Sequence, residues 1–319
     1  NLRIVKLQTQ LPLEIQSPVI DYCSKLVLLG SCFAENIAEK FSYYKFQNNV
    51  NPLGVLFHPV AILDLLSRAR QNKFYTDNDV FFSNGYWQSF QAHSRLNSTS
   101  QSEILDHLNK ALKLTQNQLQ SASHVILTFG TAWVYKHKQS KTTVANCHKQ
   151  PQSEFDKSIL SVDELQDTFN SIISVLKSFN PKVTVVFSIS PVRHLKDGFV
   201  ENNLSKAHLM TALHSVINTT ENTCYFPSYE LLMDELRDYR FYKQDMVHPN
   251  QIAIDYVWDK FQTIWIHPEA IPIMQKVNNL QKGFAHKPIH PKTTAHAEFS
   301  STLTKKAKAL ESRFPFMKF

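Results

Sequence analysis

Short apolar runs alternate along the chain with longer segments of helical periodicity, and this alternation limits the possible fold more than any other feature. The apolar runs span 25–29, 46–50, 124–129, 182–189 and 223–226. Short apolar runs bounded by turn residues are typical of strands buried in a parallel sheet, and helices then form the crossovers on both faces. The pattern predicts an α/β fold, with a three-layer, doubly wound parallel sheet.

Three segments between the runs carry the spacing of helices. The clearest begins at Ser161, which forms a capping box with Glu164 and is followed by an apolar stripe as far as Leu176. Similar stripes over 104–112 and 209–217 predict two further crossover helices.

The chain divides by composition into three parts. We expect an N-terminal segment over 1–20, the α/β domain over 21–265 and a basic, helical C-terminal extension over 266–319. An Asn-Gly pair flanked by aromatic residues predicts a hairpin insertion near 81–90. The polar stretch 136–156 lacks helical periodicity and predicts a long loop over one rim of the sheet.

Charge is concentrated at the C-terminal end. The chain has 34 basic and 27 acidic residues, and the part from Ile266 onward holds nine of the basic residues against three Glu. A basic tail suits an anionic partner, but these side chains are scattered and form no compact run, so the pattern does not favour nucleic acid. No apolar run reaches 18 residues, and we expect no membrane span. The pattern does not indicate an oligomeric state.

Cysteine and glycine usage excludes several classes of protein. The four cysteines have no C-x-x-C spacing, which argues against a disulfide scaffold and a zinc site, and H-E-x-x-H is absent. Six glycines without G-x-G-x-x-G or G-x-x-x-x-G-K argue against a phosphate-cradling loop. We therefore expect no metal and no cofactor. Reduced thiols and the lack of a leader-like start favour the cytoplasm, although the first residue, Asn1, leaves open a leader removed before it.

Three of the scarce glycines fall where parallel strands end. Gly30 and Gly130 directly follow predicted strands, and Gly54 follows one by four residues. Ligands of open α/β sheets bind beyond the carboxyl ends of the strands. Small residues there let backbone N–H groups approach a ligand, as an oxyanion hole requires. The same glycines could equally serve as turn or cap residues.

The loop after the first strand offers a nucleophile. Cys32 lies where the strand turns into a helix, and a thiol at a helix N-terminus can have a pKa lowered to roughly 3.5–7.5. Ser31 is the alternative nucleophile if a strong base is available. The structural alternatives are an N-cap role for Ser31 and a small buried apolar role for Cys32.

A candidate acid–base pair occurs late in the chain, at Asp245-x-x-His248. This spacing places a carboxylate one turn from an imidazole, where it can fix the tautomer and stabilise the imidazolium. A His satisfied by a helix-capping Asp is the alternative.

Taken together, these motifs resemble those of the SGNH (GDSL-type) hydrolases, and more closely those of the GSCFA family, which is named for the run Gly30-Ser31-Cys32-Phe33-Ala34. The resemblance covers most of the chain and continues through the segments 51–59, 129–135, 190–194, 226–230 and 245–249.

The resemblance implies a flavodoxin-like sheet of the SGNH hydrolase type, and it implies roles for individual residues. Cys32, or its neighbour Ser31, takes the position of the nucleophile, with His248 as the base and Asp245 orienting it. Gly54 matches the glycine whose N–H receives the oxyanion. Ala132 stands where the superfamily has an oxyanion Asn, so that Thr131 or Asn51 would have to replace that amide.

The implied function is ester hydrolysis through an acyl-enzyme, on an O-acetylated carbohydrate or another small ester. The alternatives are a non-catalytic module that binds a glycan or acyl ligand, and an O-acyltransferase. Arg193 could hold an anionic group of the substrate or form a structural ion pair. His58, His93 and His194 could contact substrate or be satisfied within the fold.

Overall fold

The computed structural model describes residues 8–289 and 293–319. In chain order the strands are β1 (Lys25–Gly30), β2 (Gln47–Val50), β3 (Phe81–Ser83), β4 (Tyr86–Gln88), β5 (His124–Phe129), β6 (Trp133–His137), β7 (Thr143–Val144), β8 (Phe155–Ile159), β9 (Thr184–Ile189) and β10 (Thr223–Phe226). The helices are α1 (Cys32–Tyr43), α2 (Pro59–Gln71), α3 (Gln101–Leu119), α4 (Val162–Phe179), α5 (Phe199–Ile217), α6 (Ser228–Glu230), α7 (Gln251–Trp265), α8 (Ile271–Ala285) and α9 (Thr294–Arg313), and a π-helix over Leu231–Leu236 continues α6.

The five strands of the central sheet lie in the order β10-β9-β5-β1-β2, and all their pairings are parallel. Each of the five predicted strands is present, with ends that differ from the prediction by two residues at most. The order is that of a doubly wound, flavodoxin-like sheet, which confirms the predicted fold class. The direction of winding reverses between β1 and β5, and the crevice at the carboxyl ends of these strands is where such folds bind ligands.

Helices cover both faces of the sheet. One face packs against α2, α3, α4 and α5 through a continuous apolar cluster. The other packs against α1, α7, α8 and α9. On this second face the rings of Phe41 and Trp258 meet edge to face with centroids 5.0 Å apart, and Lys40 forms an ion pair with Asp255. These contacts hold α1 alongside α7.

The C-terminal helices α8 and α9 form part of the hydrophobic core. Met274, Val277 and Leu280 of α8 and Leu303 of α9 are buried in the same cluster as α1 and α7. The Tyr43 hydroxyl also donates to the Asn278 side-chain oxygen at 2.8 Å. Lys292 of the basic extension and residues 1–7 lie outside the described residues.

The polar stretch 136–156 differs in part from its expected form. Its two ends and the short β7 belong to a small antiparallel sheet, in which β6 pairs with both β7 and β8, and the sequence did not predict these strands. The central residues of β8 are solvent-exposed, and no apolar alternation therefore marks the strand in the sequence. The hairpin of β3 and β4 turns at Asn84 and Gly85, whose φ angles of 51° and 81° are those of a type I′ turn.

No helix in the described ranges is both long enough and apolar enough to cross a membrane.

Close contact between β1 and β5 requires glycine at the end of β1. Gly30 has a φ of +140°, and a Cβ at this position would lie 2.1 Å from the Thr128 carbonyl oxygen. Gly85 also has a positive φ, but a Cβ there meets no atom within 4 Å. The two positions therefore separate the cost of the backbone angle from the cost of the contact.

We expect Gly30→Ala to lower the free energy of unfolding by more than about 3 kcal/mol, because strain and a backbone clash add. Gly85→Ala, the matched control, should cost about 1 kcal/mol. Urea denaturation of both variants measures the difference. Equal losses would show that the Thr128 contact does not constrain this turn.

Candidate active site

The loop that leads from β1 into α1 places Ser31 and Cys32 at the carboxyl edge of the sheet. Ser31 is 1% exposed, and its Oγ accepts a hydrogen bond from the Phe33 N–H at 3.3 Å. Its own N–H donates to the Thr128 carbonyl at 2.9 Å. Ser31 therefore has the N-cap geometry, which leaves Cys32 as the first residue of the helix.

The Cys32 thiol is not in the environment that was expected. Burial raises its pKa, and the nearby carboxylate of Glu35 raises it further. The helix N-terminal N–H groups and the Lys243 ammonium act in the opposite direction but do not outweigh burial. The expectation of a lowered pKa was therefore wrong, and a neutral thiol at this position needs a base to become a nucleophile.

Asp245 and His248 form a hydrogen-bonded pair. The His248 Nδ1 lies 2.8 Å from the Asp245 Oδ2, and the other carboxylate oxygen accepts the backbone N–H groups of Val247 and His248 at 2.9 Å each. These bonds lower the pKa of Asp245 to about 2. An ionised Asp245 holds the proton of His248 on Nδ1, so that Nε2 carries the lone pair.

The two halves of the site lie at the same edge of the sheet. Cys32 begins α1, and His248 comes just before Asn250, which caps α7. These two helices pack side by side, and Cys32 and Val247 border the same apolar cluster. The side chain of His248 is 42% exposed, so its ring is accessible from solvent.

The predicted oxyanion donors have other partners in this structure. The Gly54 N–H donates to the Asn51 carbonyl at 2.8 Å. The Asn51 side chain accepts from the Gly30 N–H at 2.9 Å and donates to Glu35 at 3.3 Å, while Arg95 donates to the Asn51 carbonyl at 2.6 Å. Asn51 and Gly54 thus brace the rim loops. The Gly54 N–H is engaged, whereas the Asn51 amide, which carries two N–H donors, uses one of them for Glu35.

Thr131 has a similar bracing role. Its hydroxyl shares a hydrogen bond with Ser205 at 2.9 Å and accepts the Trp133 N–H at 3.0 Å. The Ala132 N–H donates to the same Ser205 oxygen at 2.7 Å. Because Thr131 is buried in this network, it does not replace the missing amide.

His58 has no ring nitrogen left for a substrate. It is 2% exposed, its Nδ1 caps α2 by accepting the Ala61 N–H at 3.2 Å, and its Nε2 is 3.0 Å from the Val144 carbonyl. Burial lowers its pKa to about 4, and the ring is neutral. His58 is therefore satisfied within the fold, which was the alternative to contact with a substrate.

The other two candidate histidines differ from each other. His93 caps a short 3₁₀ turn by accepting the Arg95 N–H at 3.3 Å. His194 packs beside Gly130, and its buried Nε2 has no hydrogen-bond partner among residues 8–289 and 293–319. Burial lowers the pKa of His194 to about 4, and the charges of Lys206 and His248 act in the same direction. His194 therefore lies at the same rim as the Asp245–His248 pair.

Arg193 faces a cavity after β9. Its guanidinium contacts the Met233 sulfur at 3.5 Å, and its charge acts on the Tyr242 hydroxyl. No carboxylate in the described part of the chain forms an ion pair with it. Arg193 therefore does not form the structural ion pair that was the alternative to holding an anionic group, as far as the described residues extend.

Sequence reasoning missed Lys206 of α5. This lysine is 1% exposed, its Nζ donates to the Ser190 carbonyl at 2.6 Å, and burial lowers its pKa to about 7. Cys32 is the acidic group whose charge acts on it. The available signal was that Asn202 and Lys206 continue the apolar stripe of Leu209 at helical spacing, which places polar side chains on the face that packs inward.

No group of three or more His, Cys, Asp or Glu side chains among the described residues is arranged to hold a metal ion.

Solved structures with a similar chain path include carbohydrate esterases. A carbohydrate esterase family 3 from Talaromyces cellulolyticus is 9% identical, with a TM-score of 0.36 over 79% of this chain and 98% of its own. A Clostridium thermocellum family 3 carbohydrate esterase is also 9% identical, with a TM-score of 0.36 over 79% of this chain and 97% of its own. Structural similarity at this level does not indicate an activity for this chain.

Sequence comparison identifies the family directly. No curated protein sequence matches the chain. The model of the GSCFA family matches residues 25–261, and the model described as GSCFA domain protein, C-terminal domain matches residues 277–319. The first match covers both halves of the site, from the loop after β1 to the Asp245–His248 pair. The chain belongs to the GSCFA family.

Proposed function

We propose that this protein is an ester hydrolase that works through an acyl-enzyme on Cys32. The observation that carries the proposal is the Asp245–His248 pair, bonded at 2.8 Å at the sheet edge where Cys32 begins α1. An imidazole whose tautomer a carboxylate fixes is the base that a neutral thiol needs. The raised pKa of Cys32 makes such a base necessary.

In the first step His248 Nε2 takes the thiol proton while the Cys32 sulfur forms a bond to the ester carbonyl carbon. The carbonyl electron pair moves to oxygen and then returns, breaking the bond to the alcohol oxygen. His248 delivers its proton to that oxygen, so the alcohol leaves neutral and a thioester remains on Cys32.

In the second step water replaces the alcohol. His248 takes a proton from water as its oxygen attacks the thioester carbonyl, and the acid is released as the proton returns to the Cys32 sulfur. Asp245 stays ionised throughout, because its pKa of about 2 lies far below neutral pH. Its charge stabilises the imidazolium that forms in each step.

Stabilisation of the oxyanion is the weak part of this mechanism. We assign the oxyanion to the backbone N–H of Cys32, at the positive end of α1, and to the second N–H of the Asn51 amide. The Gly54 N–H and the Thr131 hydroxyl have other partners. Because the loss of one such donor typically costs 10²–10³-fold in kcat, we expect slow turnover.

The proposed substrate class is an O-acylated carbohydrate or a small ester. It rests on the resemblance of the motifs to those of the SGNH hydrolases. Asp245 and His248 match the Asp-x-x-His pattern of that superfamily without change. An O-acyltransferase would use the same acyl-enzyme and differ only in the acceptor, a sugar hydroxyl instead of water.

A non-catalytic binding module is the second candidate. It is favoured by the engaged Gly54 N–H and by the raised pKa of the Cys32 thiol. Such a module would bind a glycan or acyl ligand in the crevice without turning it over. The ester assay below separates it from the hydrolase.

We expect purified protein to hydrolyse p-nitrophenyl acetate slowly, and Cys32→Ala and His248→Ala each to reduce the rate to background. The reason is that one variant lacks the nucleophile and the other lacks the base. Release of p-nitrophenol measures the rate. The matched controls, Cys147→Ala and His107→Ala, remove another partly buried thiol and an exposed imidazole and should retain the wild-type rate.

Wild-type rates in both Cys32→Ala and His248→Ala would refute this assignment of the site. Full activity after complete alkylation of Cys32 by iodoacetamide would make Ser31 the nucleophile. If wild-type protein hydrolyses no ester of a panel faster than the two variants do, the protein is the non-catalytic binding module instead.

The reactivity of Cys32 should depend on pH in a defined direction. The thiolate fraction grows as pH rises through the pKa, and burial places that pKa above the ordinary value of 9.0. We therefore expect iodoacetamide to alkylate Cys32 more slowly at pH 7 in the folded protein than in urea, with a rate that still rises above pH 9. Peptide mass spectrometry measures this rate, and the exposed Cys23 reports that the reagent is active. Equal rates at pH 7 in both states would contradict the raised pKa.

A further inference from the structure

A cavity of about 640 Å³ opens between α5 and the segment that follows β10. Arg193 and Lys206 lie on its wall together with Tyr229 and Tyr242. The remaining wall includes several apolar side chains, namely Leu195, Phe199, Met210, Leu232, Met233 and Met246. The cavity is therefore largely apolar, and Arg193 and Lys206 are the cationic groups on its less exposed part, whereas Arg237 is exposed.

Lys206 is a buried amine that has no anionic partner among the described residues, and burial lowers its pKa to about 7. Its Nζ donates to the Ser190 carbonyl at 2.6 Å and lies 5.8 Å from the centre of the Tyr229 ring. Across residues 8–289 and 293–319, no Asp or Glu forms an ion pair with it. An ammonium carries three donors and is costly to bury unpaired, so this group has both the capacity and the energetic need for an anion.

Arg193 brings a second unpaired cation to the same wall. Its recorded contacts are with the Met233 sulfur and the Tyr242 hydroxyl, both neutral groups. A guanidinium has five donors in a planar fork that matches carboxylate and phosphate oxygens. The charges of Arg193 and Lys206 oppose each other, since Arg193 lowers the pKa of Lys206. An anion between them would relieve that repulsion.

The other charged groups of the cavity lie nearer solvent. Asp234 and Arg237 are exposed, and Asp238 is paired with Arg240 at 2.8 Å. The acidic groups are thus at the mouth, where water screens them, while the buried Lys206 is at the floor. The floor favours a negative charge.

We propose that this cavity binds an anionic group of the substrate, a carboxylate or a phosphate, through Arg193 and Lys206. That the anionic group belongs to the substrate rests on the function proposed above, whereas the binding of an anion by the cavity does not. The cavity adjoins the Asp245–His248 pair, because Met246 on its wall is two residues from His248. Lys206 is also near enough to Cys32 that a thiolate formed there would raise the pKa of Lys206. An ester that carries a nearby acidic group would span both places.

Binding is tested first without turnover. We expect 20 mM phosphate, or 20 mM glucuronate as a sugar carboxylate, to raise the Tm of wild-type protein by about 2 °C or more over sodium chloride of equal ionic strength. Comparison of the two anions identifies which group the cavity takes. Neutral glucose at the same concentration should give no shift.

Variants locate the effect. Lys206→Met replaces the ammonium with an apolar side chain of similar length and should keep or raise the Tm of anion-free protein, because a buried unpaired charge is removed. The anion-dependent shift should be lost in Lys206→Met and in Arg193→Gln. It should persist in Lys196→Gln, an exposed cation that is absent from this cavity wall. No shift in wild-type protein for either anion, or an undiminished shift in both variants, would overturn the proposal.

The same site is then tested for selectivity among esters. We expect the acetyl ester of glucuronate to have a KM about 10-fold below that of the acetyl ester of glucose, and Lys206→Met to remove this difference. Equal KM values in wild-type protein would separate the cavity from the reaction and overturn its role in the substrate site. If neither ester is hydrolysed, the proposed function fails, and the thermal shifts still decide whether the cavity binds an anion.

Discussion

The contact between α1 and α7 is the interaction on which the candidate site depends. Residues 32 and 248 are far apart in the chain, and no local interaction brings them together. Phe41 packs against Trp258 at a centroid distance of 5.0 Å, and the Lys40–Asp255 ion pair lies beside it. Both helices begin at the carboxyl edge of the parallel sheet, so their packing brings the loop before α1 and the loop before α7 to the same edge. The placement of the candidate residues therefore depends on the core.

Much of the fold could be predicted from the sequence, because buried parallel strands and amphipathic helices leave strong periodic signals. All five central strands and the capping box at Ser161 and Glu164 are present. The small sheet of β6, β7 and β8 could not be predicted in the same way. Its outer strand is polar and is held by backbone pairing to residues distant in sequence, which leaves no pattern in the side chains.

The candidate site was only partly predictable. The Asp245–His248 bond is local, and its spacing alone predicts the geometry that is present. The hydrogen bonds of Asn51 and Thr131 and the pKa of Cys32 depend on distant partners and on burial, which spacing does not encode. Lys206 was missed because a lysine in a helical segment is ordinarily exposed, and only its position on the inward face distinguishes it. Hydrogen bonds that cross between loops therefore set the limit of such predictions.

The burial of α8 and α9 in the same apolar cluster as α1 and α7 connects the two segments of the chain that the family models match. The two family models match 25–261 and 277–319 as separate segments, yet Val277, Leu280 and Leu303 share one apolar cluster with Phe41 and Trp258. A chain shortened before α8 would expose this cluster to water, next to α1, which begins at Cys32, and α7, which begins just after His248. The terminal helices therefore support the packing of α1 and α7, and their loss would disturb the candidate site through these two helices.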